Sequence, residues 1–298
     1  MTGRHVSEPK GFQRATADAA LETLTKADGP RRFLVADEVG LGKTIVARTI
    51  INEMMRHRRR PVVVFYVTSN LNIAHQNRGK LLEFLTEKEQ QQASAPADRL
   101  TLAANPANRP KHAKLHLYTL TPDTSVPMYR RRGGFGRLEE RALIFRLLRG
   151  RFPSLDTDAF YAKCKGNQAG EASWRWALQR HEYIEGVREI QNRFIESLSN
   201  DQHLKLEDID AAAILDAADN QRPSRLMGAF RTALAMAVLQ DIQPDLVIFD
   251  EFQKFREILI DPPHVVPDPV AQALRGGRGS GRPAVLLLSA TIVLDAVG

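Results

Sequence analysis

The stretch from Phe33 to Ile50, FLVADEVGLGKTIVARTI, constrains this chain more than any other. It begins with an apolar run of β type, Phe33-Leu34-Val35. A turn through Gly40, Gly42, Lys43 and Thr44 follows, and a helical pattern then carries Ile45, Val46, Thr49 and Ile50. Strand, loop and helix in that order make a phosphate cradle: glycines let backbone N–H groups approach an anion, and the helix N-terminus adds a favourable dipole. Val39, Gly40, Leu41, Gly42 and Ile45 would line that cradle. Lys43 would reach the outer phosphates and the Thr44 hydroxyl would ligate Mg2+. Asp37 stands where the general phosphate-loop pattern has its first glycine.

A second signal lies far downstream. Pro244 to Phe249 reads as a strand, and it ends in Asp250-Glu251-Phe252-Gln253. A carboxylate pair at the end of a buried strand suits phosphate-bound Mg2+ chemistry, with Asp250 holding the metal and Glu251 deprotonating the attacking water. Val285 to Leu288 forms another strand, ending in Ser289-Ala290-Thr291. Val62 to Val67 is a continuous apolar run of strand length, as expected of a parallel strand covered on both faces. It leads into Thr68-Ser69-Asn70 and a helix bearing His75, Gln76 and Asn77. Ser69 and Asn70 either donate to the phosphates of a nucleic-acid backbone or cap that helix. Leu115 to Leu120 is a further strand, ending in a polar loop.

Between these strands the pattern is helical or polar. A first helix from Gly11 is expected to bury Phe12, Ala15, Ala19, Ala20 and Leu24, with Gly29-Pro30 ending it. Residues 87–112 read as a loop plus a short helix. The basic run Arg56 to Arg60 suits a helix C-terminus or a nucleic-acid contact. A second run comprises Arg130, Arg131, Arg132, Arg137, Arg141, Arg146, Arg149 and Arg151. It reads either as a nucleic-acid-binding surface or as a solvated helix face. Residues 153–240 are mostly helical, with Ile190, Phe194 and Leu198 on one helix and Leu226, Phe230, Leu234 and Val238 on another. Trp174 and Trp176 are expected in packing positions. The formal charge of +7 admits an anionic partner without demanding one. A single cysteine, Cys164, excludes a disulfide framework. No apolar run approaches the roughly 18 residues of a membrane span and no signal peptide opens the chain, so a cytoplasmic protein is expected.

The wording DEVGLGKT resembles motif I of the Swi/Snf-type helicase-like ATPases of superfamily 2, where an acidic residue commonly replaces the first glycine. DEFQ resembles their motif II and Ser289-Ala290-Thr291 their motif III. Gln13, in GFQRA, sits where that family carries a glutamine that reads the adenine edge. Ser69-Asn70 falls at motif Ia, and LTPDTS at motif Ib. The phrases SNLNIAHQN and DLVIFDEFQKF look most like bacterial helicase-related proteins of this type.

The resemblance implies a RecA-like P-loop NTPase domain of the α/β class, a mainly parallel sheet sandwiched by helices. It implies ATP and Mg2+ as ligands and nucleic acid, in particular double-stranded DNA, as partner. Lys43, Glu251 and Gln253 would act in catalysis, with Gln253 linking nucleotide state to Ser289, Ala290 and Thr291. The expected organisation is one first motor domain over residues 1–298, with a mostly helical insertion at about 126–242. The family's second RecA-like domain supplies an arginine finger. Here the sequence reads Ile292-Val293-Leu294-Asp295 after Thr291 and stops at Gly298. Nucleotide binding with little turnover in isolation is therefore expected. A non-motor nucleic-acid-binding module is the alternative.

Overall fold

The computed structural model describes residues 8–26, 28–36, 42–121, 134–164, 170–181, 186–200, 210–220, 223–260, 269–276 and 282–289. Its centre is a sheet of β1 (Arg32–Ala36), β2 (Val62–Val67), β3 (Leu115–Leu120), β4 (Leu246–Asp250) and β5 (Ala284–Ser289). The spatial order is β1-β5-β4-β2-β3 and every neighbouring pair is parallel. All six residues of β2 are buried, as are the first four of β4. Such unbroken apolar runs form strands only where helices cover both faces. The edge strand β1 differs, since Leu34 remains 48% exposed.

Alternation along the strands divides the core in two. Val35, Val64, Tyr66, Leu117, Ile248, Leu286 and Leu288 pack with α1 (Gly11–Thr25), α2 (Lys43–His57) and α3 (Leu71–Leu81) through residues such as Ala17, Ala20, Val46, Ile50 and Leu81. Val63, Phe65, Val67, Leu120, Val247, Phe249 and Val285 face the other way. Helix α4 (Glu87–Ala93) precedes β3. The segment between β3 and β4 contributes α5 (Leu138–Arg151), α6 (Thr157–Cys164), α7 (Glu171–Gln179), α8 (Arg188–Ser199), α9 (Ala211–Asn220) and the long α10 (Pro223–Ile242). Short helices α11 (Arg256–Leu259) and α12 (Pro269–Arg275) lie between β4 and β5. The architecture is a RecA-like α/β sandwich. No helix among the described residues is long and apolar enough to cross a membrane.

Several local expectations change. Helix α1 buries Gln13, Ala17, Ala20 and Leu24, while Phe12 is 47% exposed and Ala15 and Ala19 face solvent. Small residues on the inner face let α1 lie close against α2, and the larger Phe12 is left outside. Leu100–Ala104, inside a stretch read as loop, forms a fully buried 3-10 turn. In the first basic run, Arg58 and Arg60 pair with Asp245, which also accepts the Val63 backbone N–H at 2.9 Å. That run therefore ties the starts of β2 and β4 together.

Four of the described arginines of the second run bond to other parts of the chain. Arg137 pairs with both oxygens of Asp98 at 2.9 and 2.8 Å. Arg141 is 5% exposed and donates to the Cys164 carbonyl at 3.3 Å; Arg146 donates to that of Leu178 and Arg149 to the Thr157 hydroxyl. Arg141 is thus buried and Arg146 half-buried, whereas Arg137, Arg149 and Arg151 stay exposed, as a solvated helix face would have them. Arg130, Arg131 and Arg132 lie outside the described residues. Trp174 is in the core as expected, but Trp176 is 53% exposed with the Arg180 guanidinium 4.9 Å over its ring.

Candidate nucleotide-binding site

The register of the sheet decides what can meet. Val35 lies opposite Leu288, and Leu288 opposite Asp250. Val67 lies opposite both Phe249 and Leu120. All five strands therefore end at one edge. Asp250 is two strand spacings from the end of β1, roughly 10 Å at about 4.8 Å per spacing. Asp250 also shares its face with Leu246 and Ile248, the face covered by α1, α2 and α3. Helix α2 begins there.

Gly42 is the N-cap of α2 and has φ 88°, a left-handed conformation that glycine adopts without penalty. Its carbonyl receives the N–H of Ile45 at 2.7 Å and of Val46 at 3.2 Å. The half-buried Lys43, Thr44 and Ile45 form the first turn, which carries no acidic residue to repel an anion. Val39, Gly40 and Leu41 lie outside the described residues.

Gln13 is 4% exposed and wedged against this turn: a Cβ at Gly42 would collide with its amide nitrogen and press on Ile45. Its amide oxygen accepts the Lys10 N–H at 2.8 Å. In this conformation Gln13 buttresses the loop and caps α1, instead of standing open toward a base.

At the acidic edge, the Tyr66 hydroxyl donates to Asp250 Oδ2. Asn77 Nδ2, from α3, donates to the same oxygen at 3.2 Å and to the Tyr66 hydroxyl at 2.7 Å. Burial, followed by the charge of Asp250, raises the Tyr66 hydroxyl well above the usual phenol range, so it stays a neutral donor. The next residue, Glu251, has φ 57°, a strained value for a side chain with a Cβ and one that collects at functional sites. Glu251 Oε2 accepts from Lys254 Nζ at 2.6 Å, and Ser69 Oγ lies 3.5 Å from the same oxygen. Ser289 Oγ donates to Gln253 Oε1 at 3.3 Å, so the ends of β4 and β5 are joined by a side-chain bond. Asn70 caps α3, its side chain accepting the Asn72 N–H at 2.7 Å. Ala290 and Thr291 lie outside the described residues.

Sequence reasoning had named Asn77 only as a helix residue, and it had missed Tyr66 and Lys254 entirely. The available signal was a lone tyrosine among the aliphatic residues of its strand face and an asparagine inside a helix.

The site suits a Mg2+–nucleotide on its own chemistry. A Cβ on the left-handed Gly42 would collide with Gln13 and press on Ile45 at the start of α2. The Thr68 hydroxyl, 1% exposed at the end of β2, has no hydrogen-bond partner among the described residues. No three His, Cys, Asp or Glu side chains among the described residues cluster as an all-protein cage. A hard cation held by one or two protein oxygens, with phosphate and water completing its shell, is how Mg2+ is usually bound. A separate groove of 470 Å3 runs along the outer side of α3 past His75, Arg78 and Gln90, and shares no residue with this site.

Residues 7–120 match the family described as Type III restriction enzyme, res subunit. The matched span runs from α1 to the end of β3 and includes Gln13, the phosphate loop and Ser69. Asp250, Glu251 and Ser289 lie beyond it. A search of curated proteins returned no match. Together, the matched segment and the parallel sheet support a helicase-like, ATP-binding motor domain.

Proposed function

We propose that this protein is the first motor domain of a DNA-dependent helicase-like ATPase of the Swi/Snf type, working in the cytoplasm. In that setting it couples ATP hydrolysis to movement on double-stranded DNA. The observation that carries this reading is the convergence at one sheet edge. The Asp250-Glu251 turn and the Gly42-Lys43-Thr44 start of α2 lie at the same end of the strands, and Asp250 lies on the face covered by α2.

Each residue then has a task. Lys43 balances charge on the outer phosphates, and backbone amides at the start of α2 donate to phosphate oxygens. Thr44 and Asp250 would hold Mg2+. When bound, that ion neutralises charge developing on the transferred phosphoryl group. Glu251 orients the attacking water and takes its proton, once Lys254 no longer occupies its Oε2. Gln253 passes the state of the site to Ser289 and, with Ala290 and Thr291, toward a second RecA-like domain. That domain, in cis or in trans, supplies an arginine finger worth about 10³–10⁵ in rate. Ser69, Arg130, Arg131 and Arg132 form part of the nucleic-acid contact, and residues 126–242 form an insertion in this domain.

The test is the ATPase rate with and without duplex DNA, for the wild type and Lys43→Ala. DNA-stimulated hydrolysis that disappears in Lys43→Ala is the expected outcome. Duplex binding with no dependence of any nucleotide signal on Lys43 would overturn the motor reading and leave a non-motor nucleic-acid-binding module.

A further inference from the structure

We infer that Tyr66 and Asn77 are positioning residues that set the orientation of the Asp250 carboxylate for cation binding; this rests on the nucleotide-site reading above. The geometry is specific. Three groups from three elements, β2, α3 and β4, meet at one oxygen. The Tyr66 hydroxyl and Asn77 Nδ2 both donate to Asp250 Oδ2, and Asn77 also donates to the Tyr66 hydroxyl. Tyr66 is 1% exposed in a strand face otherwise built from Val62 and Val64. A tyrosine there brings a hydroxyl that must find a partner, where a phenylalanine or leucine would pack without that demand. The partner it finds is Asp250, the last residue of β4.

Two donors on a single oxygen hold a side chain that would otherwise swing at a strand end, where the backbone turns sharply into Glu251 (φ 57°). Oδ2 is thereby committed to the protein, and Oδ1 is the oxygen left for the cation. Groups that orient a metal ligand in this way typically affect metal affinity or activity by about 10–100-fold. The pair is thus a hydrogen-bonded clamp linking α3, the helix capped by Asn70, to the Asp250 carboxylate.

The test measures binding of a fluorescent ATP analogue during Mg2+ titration, and again in EDTA, for the wild type, Tyr66→Phe, Asn77→Ala and the double variant. Tyr66→Phe keeps the ring and removes only the hydroxyl. The expected result is an Mg2+ midpoint raised about tenfold or more, with binding in EDTA and the melting temperature near wild type. The double variant should cost less than the two single effects combined, because the residues share one oxygen and bond each other.

A folded Tyr66→Phe with the wild-type Mg2+ midpoint would overturn the assignment, as would an equal loss of binding with Mg2+ and in EDTA, which marks a packing role. Should Asn77→Ala unfold, Tyr66→Phe alone decides. A wild-type chain that binds no nucleotide under either condition would remove the nucleotide-site reading itself, a result distinct from a normal wild type with indifferent variants.

Discussion

The two faces of the sheet use polar side chains in opposite ways. On the face covered by α1, α2 and α3, Tyr66, Asn77 and a half-buried Asp250 gather at the edge where α2 begins, although one part-buried pair, Arg48 with Glu83, also braces α2 there. On the face covered by α5, α8 and α10, polar side chains are sealed inside. Glu140 is 0% exposed and receives Arg99 at 2.9 Å, Arg231 at 3.0 Å and the Thr101 hydroxyl at 2.7 Å. Asp241 pairs with Arg109 at 2.7 Å nearer the surface, both side chains being partly exposed. Charges of the second kind brace helices against each other, whereas those of the first kind stand where a ligand can reach them. A count of arginines along the chain does not separate the two.

The sharpest way to break this comparison is Glu140→Ala. Removing one member of a buried charge network leaves its cations uncompensated, and a loss of about 3–5 kcal/mol is expected in a denaturant melt. A loss within the range of ordinary surface substitutions would show that the far-face network is not a brace. Gly42→Ala should act on the near face instead. A Cβ at φ 88° meets Gln13 and Ile45, and a residue held in such a conformation costs about 1–3 kcal/mol. Nucleotide binding, followed by fluorescence, should fall with it.

Lys254→Ala should be milder. Its pair with Glu251 is half-exposed, and pairs of that kind contribute about 0.2–1 kcal/mol, a change that thermal melts resolve.

The smallest effect at neutral pH belongs to His181, buried beside Asn105, where desolvation pushes its pKa down to about 4. The unfolded chain, with an ordinary value of 6.5, binds the extra proton first. The stability contribution of the neutral ring is therefore complete above pH 6.5 and declines as pH falls toward 4. Melting temperatures across that window should fall less steeply in His181→Gln.

The strands were legible because parallel strands carry continuous apolar runs, and Val62 to Val67 could hardly be read otherwise. The convergence of Lys43, Thr44, Asp250 and Glu251 on one edge followed from strand order, which the motif sequence implied. Other features escaped because periodicity counts apolar residues and ignores their size. Phe12 was placed inward, but the buried face of α1 is built from Gln13, Ala17, Ala20 and Leu24, and the Gln13 amide accepts the Lys10 N–H there. Tyr66 and Asn77 gave no pattern to detect, since their meeting depends on the register between β2 and β4 and on the rotation of α3. The short apolar string at Leu100–Ala104 was hidden by its polar flanks. The exposure of Trp176 reflects its place on the outer side of α7, two residues and so about 200° around the helix from the buried Trp174.

The most direct test of the central claim is the affinity for ATP with and without Mg2+, measured by calorimetry on the wild type and Lys43→Ala. Hydrogen bonds to charged groups contribute about 1.5–3 kcal/mol, so the account predicts Mg2+-dependent binding that weakens about ten- to hundredfold in the variant. Equal affinity in the two proteins, or binding indifferent to both Lys43 and Mg2+, would contradict it.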